Sequence, residues 1–82
     1  MDDHKENLEL VKRLFVNNGE YSFKDEKKAN EFAKRLLSDL EDEYSNEGFH
    51  HKYKELSDFI HSHHADSTAF FLYQDKYEEQ EA

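Results

Sequence analysis

Histidine is the residue type in this chain that is best suited to bind a metal ion. Five of the six histidines lie in two short clusters, His50-His51 and His61-x-His63-His64. On a helix, His61 and His64 lie one turn apart, and with a carboxylate such as Asp66 or Asp58 they could bind zinc or nickel. Recognised helical zinc motifs space two histidines four residues apart or use cysteine, and neither pattern occurs here. We therefore expect no metal and no other cofactor, with His61 and His64 as weak metal candidates.

The 20 aspartates and glutamates do not by themselves define a catalytic site. A catalytic pair needs two acids in contrasting environments within a cleft, and a chain of 82 residues has little room for one. The chain also contains no recognisable Ser/His/Asp constellation, no phosphate-binding Gly-rich loop and no nucleotide-binding fingerprint. We therefore expect no enzymatic activity.

The acids are unevenly distributed, and this pattern points to binding rather than to catalysis. The net charge of -9 comes from two segments, residues 39–49 and 65–82, since the rest of the chain sums to zero. The first segment has no base and carries five acids, Asp39, Glu41, Asp42, Glu43 and Glu47. If both segments lie on one side, they make a negative face that imitates the DNA phosphate backbone and blocks a DNA-binding protein, as small acidic proteins, often phage-borne, do. The simpler interpretation is solubilising charge on a loop and a tail.

The aromatic residues near the C-terminus offer a second kind of binding surface. Two adjacent phenylalanines cannot both point inward from one helix, so Phe70 or Phe71 is a candidate for a partner contact. Aromatic side chains are enriched at binding hot spots. We predict a helical face that bears Phe71 and Tyr77, with Phe70 and Tyr73 nearby, rimmed by the acids of the last helix. The alternative is that these side chains belong to the core.

The composition indicates the scaffold that must position these residues. The chain has no Pro and only two Gly, so loops are few and helices dominate. Hydrophobic residues make up 35% of the chain, but seven Phe and five Tyr, which can bury about 150–250 Å² each, supply a core. We expect an all-α fold, a small bundle of about four short helices in one domain over residues 1–82. Its tail, about residues 78–82, should be frayed.

Hydrophobic spacing predicts four helices. The first covers about residues 3–17 and ends at Asn17-Asn18-Gly19. The second is the spine of the core, because seven apolar residues recur at steps of three or four, and Ser22-x-x-Asp25 is a candidate capping box for it. The third spans about residues 50–63. The fourth starts near Ser67 or Thr68 and places Phe70, Tyr73 and Tyr77 on one face, although residues 69–73 could also form a strand.

The third and fourth helices also carry a family resemblance. Tyr53-x-x-Leu56-Ser57-Asp58-Phe59-Ile60-x-x-His63, followed by an aromatic-rich segment that ends Tyr77-Glu78-Glu79, resembles the YozE-type small bacterial proteins. Upstream, residues 31–40 resemble that family's second helix and residues 8–15 its first. The resemblance implies a bundle like the sterile alpha motif (SAM-like). The chain departs from the family in its middle loop, which is longer, acidic and free of proline. The family has no known activity, so the resemblance implies a fold alone.

These observations predict a non-enzymatic, acidic protein–protein interaction module. Its partner is another protein, with basic nucleic-acid-binding proteins as candidates because an acidic surface attracts them. The alternative is the DNA-mimic inhibitor. The negative surface argues against direct binding to nucleic acid or to a membrane. No apolar run reaches the ~18 residues that span a bilayer, and the chain has no Cys, so we expect a cytoplasmic protein. The oligomeric state is left open.

Overall fold

Four α-helices form the bundle, and a computed structural model describes residues 3–78. The helices are α1 (Asp3–Phe15), α2 (Glu26–Asn46), α3 (Leu56–Ile60) and α4 (His63–Leu72). A 3₁₀ turn (Phe49–His51) follows α2, and one π-helical turn (Tyr73–Tyr77) continues α4. No strand occurs among the described residues, so the all-α prediction is confirmed and residues 69–73 are helical. The predicted frayed tail lies outside the described residues from position 79 onward. No helix within residues 3–78 combines the length and the apolar character needed to cross a membrane.

Helix α2 is the spine of the core, as its apolar spacing predicts. Its inward stripe is completely buried and consists of Phe32, Ala33, Leu36, Leu37 and Leu40. Burial of each large side chain stabilises the fold by about 1.5–3 kcal/mol. Helix α1 packs against α2 and α3, and α4 packs against α2 and α3 from another side. The core is therefore built around a single long helix.

The residue that caps α2 is Asp25, and the predicted role of Ser22 as the cap is wrong. The carboxylate of Asp25 accepts a hydrogen bond of 2.9 Å from the backbone N–H of Lys28. The carbonyl of Ser22 instead accepts a hydrogen bond of 2.7 Å from the hydroxyl of Tyr73. The predicted stop at the C-terminal end of α1 is confirmed. Gly19 has a φ of 81°, and the side-chain amide of Asn18 donates a hydrogen bond to the carbonyl of Leu14.

The boundary between the third and fourth helices differs from the prediction. One helix was expected over residues 50–63, but α3 covers only Leu56–Ile60, and the fourth helix starts at His63 rather than near Ser67 or Thr68. The cause is Ser62, which lies between them. Its hydroxyl donates to the carbonyl of Phe59 at 2.6 Å and accepts from the N–H of Ala65 at 3.3 Å. One side chain thus ends α3 and caps α4.

The π turn places the last two tyrosines in an aromatic cluster. The ring of Tyr73 packs on Tyr21, with ring centroids 4.6 Å apart, and the ring of Tyr77 packs on Phe32 at 5.3 Å. Burial, followed by the nearby Glu31 carboxylate, raises the pKa of Tyr77. Burial, followed by the negative charges of Glu20 and Asp66, likewise raises the pKa of Tyr21. The neutral phenols are therefore the forms that the folded state favours.

Candidate functional site

Phe70 and Phe71 form an exposed aromatic pair on α4. Phe70 is 50% exposed and Phe71 is 64% exposed, and within residues 3–78 no other large hydrophobic side chain is classed as exposed. The two rings meet edge to face with centroids 5.7 Å apart. Both lie beside Ala69 and Leu72, which face the core. The prediction that one of the two phenylalanines lies on the surface is confirmed, and the structure exposes both.

Phe71 borders a groove between α2 and α4, which we call the α2–α4 groove. Its volume is about 640 Å³. Its walls include the predicted acids Asp39 and Glu43, and the charged and aromatic side chains that line it are Arg35, Asp39, Glu43, Phe71, Asp75 and Lys76. The structure thus brings one predicted anchor and two predicted acids to the same surface.

The charges change sign along the groove. Helix α4 runs antiparallel to α2, because Thr68 contacts Glu43 whereas Tyr77, farther along the chain, contacts Glu31. Arg35 and Lys76 therefore lie at one end of the groove together with Asp75, whose Oδ2 lies 3.9 Å from Nζ of Lys76. Glu43 lies two helical turns from Arg35 at the other end. Phe71 lies between the two ends.

Glu43 is held in place by α4. The hydroxyl of Thr68 donates a hydrogen bond of 2.9 Å to Oε1 of Glu43. Nε2 of His64 lies 3.5 Å from the same oxygen, but this nitrogen is buried and makes no hydrogen bond within the described residues. The hydrogen-bond donor to Glu43 on α4 is therefore Thr68, and the His64 ring is only a close neighbour of the carboxylate. The Glu43 side chain is only 23% exposed as a result.

The other acids of residues 39–47 point in different directions. Asp39 pairs with Arg35 of its own helix, with 3.5 Å between Oδ1 and Nε. Glu41 faces α1 rather than α4, and its Oε2 lies 3.1 Å from Nδ1 of His4. Asp42 and Glu47 are exposed. The five acids therefore do not share one face of α2.

The order of charges along α2 opposes the helix dipole. Residues 26–35 carry four bases and two acids, whereas residues 39–46 carry four acids and no base. The C-terminal end of a helix favours cations by about 0.3–1 kcal/mol each, and no basic residue lies in the last turn of α2. The acidic end of α2 thus lowers the stability of the helix rather than raising it.

Tyr77 and Tyr73 belong to the core, so the predicted exposed face that pairs Phe71 with Tyr77 is wrong. Tyr77 is 7% exposed, and Tyr73 is half-buried against Tyr21 and Phe23. Both point inward because they continue the buried row of Ala65, Ala69 and Leu72. The predicted shared face of Phe70 with these tyrosines is wrong for the same reason.

The histidines do not assemble a metal site. His61 and His64 were expected one turn apart on a single helix, but His61 follows α3 and His64 lies in the first turn of α4. Nδ1 of His61 lies 2.8 Å from the carbonyl of Ser57, and the His64 ring packs on Phe49 with centroids 4.4 Å apart. In residues 3–78, no group of three or more His, Asp or Glu side chains is placed to hold a metal ion.

The sequence did not predict the contacts of α2 with other helices, among them those of Glu43 with Thr68 and of Glu41 with His4. These two contacts join residues that are 25 and 37 positions apart in the sequence, and no local sequence pattern predicts such a pairing. The sequence named Phe70 or Phe71 as the exposed residue, and what it did not predict is that both are exposed. The reversed charge order of α2 was readable from the sequence.

Comparison with known proteins identified no relative of this chain. No protein-family model, no curated protein and no solved structure matches it.

Proposed function

We propose that this protein is a non-enzymatic module that binds another protein through Phe70, Phe71 and the adjoining α2–α4 groove. The observation that carries the proposal is the exposure of two adjacent phenylalanines at 50% and 64%. Large aromatic side chains are typical hot spots of interfaces because they bury about 150–250 Å² each.

The scaffold below the pair supports this assignment. The inner face of α4, formed by Ala65, Ala69 and Leu72, is buried, so the bundle does not need Phe70 or Phe71 for its own core. A side chain that contributes little to folding yet exposes apolar area is costly in water. An intermolecular contact is the simplest role for such a side chain.

The chemistry of the surroundings indicates the kind of partner. The net charge is -9, and the groove beside Phe71 is lined by three acids and two bases, Asp39, Glu43, Asp75, Arg35 and Lys76. We therefore expect a partner with a basic surface and an apolar side chain that contacts the phenylalanines, and a basic nucleic-acid-binding protein has this chemistry. The absence of Cys is compatible with the reducing cytoplasm, where we place the interaction. The SAM-like classification stays part of the proposal and rests on the YozE resemblance.

The DNA-mimic hypothesis is second to this proposal. It requires a row of unpaired carboxylates, whereas Asp39 and Glu41 each contact a basic or histidine side chain of the same chain. The acidic segments still carry the whole net charge, so the hypothesis is tested by the same experiment.

The test is capture of partners from a lysate of the native host on immobilised protein. The double variant Phe70→Ser/Phe71→Ser should lose the partner, while Lys24→Ser, an exposed loop change, should retain it. Binding through an apolar anchor should survive a wash at about 1 M salt, where the Debye length is only about 3 Å. Equal capture by the wild type and the double variant would refute the proposal.

Variants of the acids on α2 test the DNA-mimic hypothesis in the same capture experiment. A triple variant, Glu41→Gln/Asp42→Asn/Glu43→Gln, should retain the partner if Phe70 and Phe71 are the anchor. If this variant alone loses the partner, and duplex DNA displaces the partner from the wild type, the DNA mimic is the correct assignment.

A further inference from the structure

The α2–α4 groove is complementary to itself. An isologous interface needs a patch in which residue i faces residue j of the second copy and j faces i. The groove has two bases and one acid at one end, Glu43 at the other and Phe71 in between. At the first end, Lys76 lies 3.9 Å from Asp75, so Arg35 is the base left to face Glu43 of a second copy. A two-fold axis that crosses the groove at Phe71 reverses its direction, so the basic end of one copy meets the acidic end of the other.

We propose that the occupant of this groove, when no other partner is bound, is a second copy of this chain. In the resulting dimer, Arg35 of each copy faces Glu43 of the other, and the two Phe71 rings meet at the axis. The proposal rests on the proposed function only in that both use Phe71 as a protein contact. Binding of a foreign partner and self-association are then competing uses of one surface.

Contacts within each chain already position the charged side chains that would pair in the dimer. Glu43 is positioned by its 2.9 Å hydrogen bond from Thr68, so its carboxylate needs little further ordering on association. Asp39 lies near the axis, where it would face Asp39 of the second copy. The carboxylate of Asp39 already pairs with Arg35 of its own chain, with 3.5 Å between Oδ1 and Nε, and this pairing reduces the repulsion between the two carboxylates. The Arg35 guanidinium has further N–H donors with which to reach Glu43 of the second copy.

The net charge of -9 per copy opposes association at long range. At about 0.15 M salt the Debye length is about 8 Å, which screens the overall repulsion more than it screens pairs in contact. The dimer should therefore be sought at this ionic strength, as a weak and concentration-dependent species.

The test is sedimentation equilibrium of the purified chain at 0.15 M salt, over about 10 μM to about 1 mM, the range in which weak interfaces titrate. The wild type should shift from the monomer mass of 9.9 kDa towards twice that value. Phe71→Ser should remain monomeric, and a wild type that stays at the monomer mass throughout would refute the proposal.

Charge-reversal variants test the antiparallel geometry. Arg35→Glu and Glu43→Lys should each abolish the dimer, because like charges then face each other at both ends. An equimolar mixture of the two variants should restore it, since each reversed side chain then faces an opposite charge. A mixture that stays monomeric while both variants keep wild-type helical circular dichroism would refute the two-fold pairing.

If Glu43→Lys fails to fold, Lys76→Glu takes its place, because it reverses the basic end of the groove without touching the contact with Thr68. It should weaken the dimer at least threefold, and an unchanged dissociation constant would count against the proposal. These measurements use the purified chain alone, so their failure leaves the capture experiment on Phe70 and Phe71 unaffected.

Discussion

Thr68 of α4 and Glu43 of α2 are joined by a hydrogen bond of 2.9 Å across 25 positions of sequence. It ties the start of α4 to the acidic end of α2. A hydrogen bond that involves a charged group contributes about 1.5–3 kcal/mol, and a neutral one about 0.5–1.5 kcal/mol. Because the Glu43 side chain is still 23% exposed, we expect this hydrogen bond to contribute about 0.5–1.5 kcal/mol.

A double-mutant cycle on this pair should show coupling. Thr68→Val removes the donor and Glu43→Ala removes the acceptor, and the stability change of the double variant should differ from the sum of the two single changes by a coupling of about 0.5–1.5 kcal/mol. Urea unfolding followed by circular dichroism measures it. Strict additivity would mean that the hydrogen bond does not stabilise the fold.

The buried and exposed phenylalanines should respond differently to truncation. Phe59 is completely buried, whereas Phe71 is 64% exposed. Phe59→Ala should cost about 3–5 kcal/mol, and Phe71→Ala should change stability by no more than about 0.5 kcal/mol. Thermal unfolding at a concentration where the protein is monomeric compares them. A large loss for Phe71→Ala would indicate that this ring supports the bundle rather than a partner.

The cap of α2 provides a matched pair of small substitutions. Asp25→Ala removes the side chain that accepts from Lys28 and should cost about 1 kcal/mol. Ser22→Ala should be nearly neutral, because only the backbone carbonyl of Ser22 is used, by Tyr73. The same urea titration distinguishes them. Equal losses of unfolding free energy for the two variants would contradict the assignment of Asp25 as the N-cap of α2.

Stability should fall at alkaline pH because of the buried phenols. The pKa of Tyr77 is raised above 10.0 by burial and by Glu31, so the unfolded chain loses this proton at a lower pH than the folded chain does. This contribution is complete below pH about 10 and is lost as pH rises through the raised pKa. The midpoint of thermal unfolding of Tyr77→Phe should therefore fall less steeply than that of the wild type above pH about 10. Parallel curves would contradict this, and Tyr21→Phe should behave like Tyr77→Phe.

A basic residue at the end of α2 should stabilise the helix. Glu47 is the exposed C-cap residue, so Glu47→Lys should add about 0.3–1 kcal/mol at low salt and less at high salt. Glu20→Lys makes the same change of charge in an exposed loop and controls for the lower net charge. Chemical denaturation at two salt concentrations separates the effects. If both variants gain equally, the helix dipole is not the cause.

The sequence predicted α2 well because its evidence is local and repeated. Four turns of apolar spacing from Ala29 to Tyr44 predict the inward stripe. Its five central residues, from Phe32 to Leu40, are completely buried, and Ala29 and Tyr44 at its ends are half-buried. The break between α3 and α4 could not be read in the same way. Helical spacing continues on both sides of Ser62, and only the geometry of its hydroxyl, which serves one helix end and the next helix start, separates them.

The candidate site was predicted in part for a related reason. The exposure of Phe70 or Phe71 follows from adjacency alone, since neighbours on a helix point about 100° apart. The groove depends on how α4 lies along α2, which no local spacing encodes. Regular α-helical spacing from Ala69 and Leu72 would bring position 76 to the core, and the π turn, which no local pattern predicts, brings Tyr77 there instead.

The π turn at Tyr73–Tyr77 makes the C-terminal aromatic cluster sensitive to the number of residues before it. In this turn the N–H of Glu78 bonds to the carbonyl of Tyr73, five residues earlier rather than four. The wider turn therefore holds one residue more than an α-helical turn would. Deleting one residue within this turn would restore regular α-helical bonding and leave the Tyr77 ring facing the core, because the wider turn is what absorbs the extra residue. Deleting one residue earlier in α4, where no wider turn absorbs the change, would instead rotate the Tyr77 ring by about 100° away from the core.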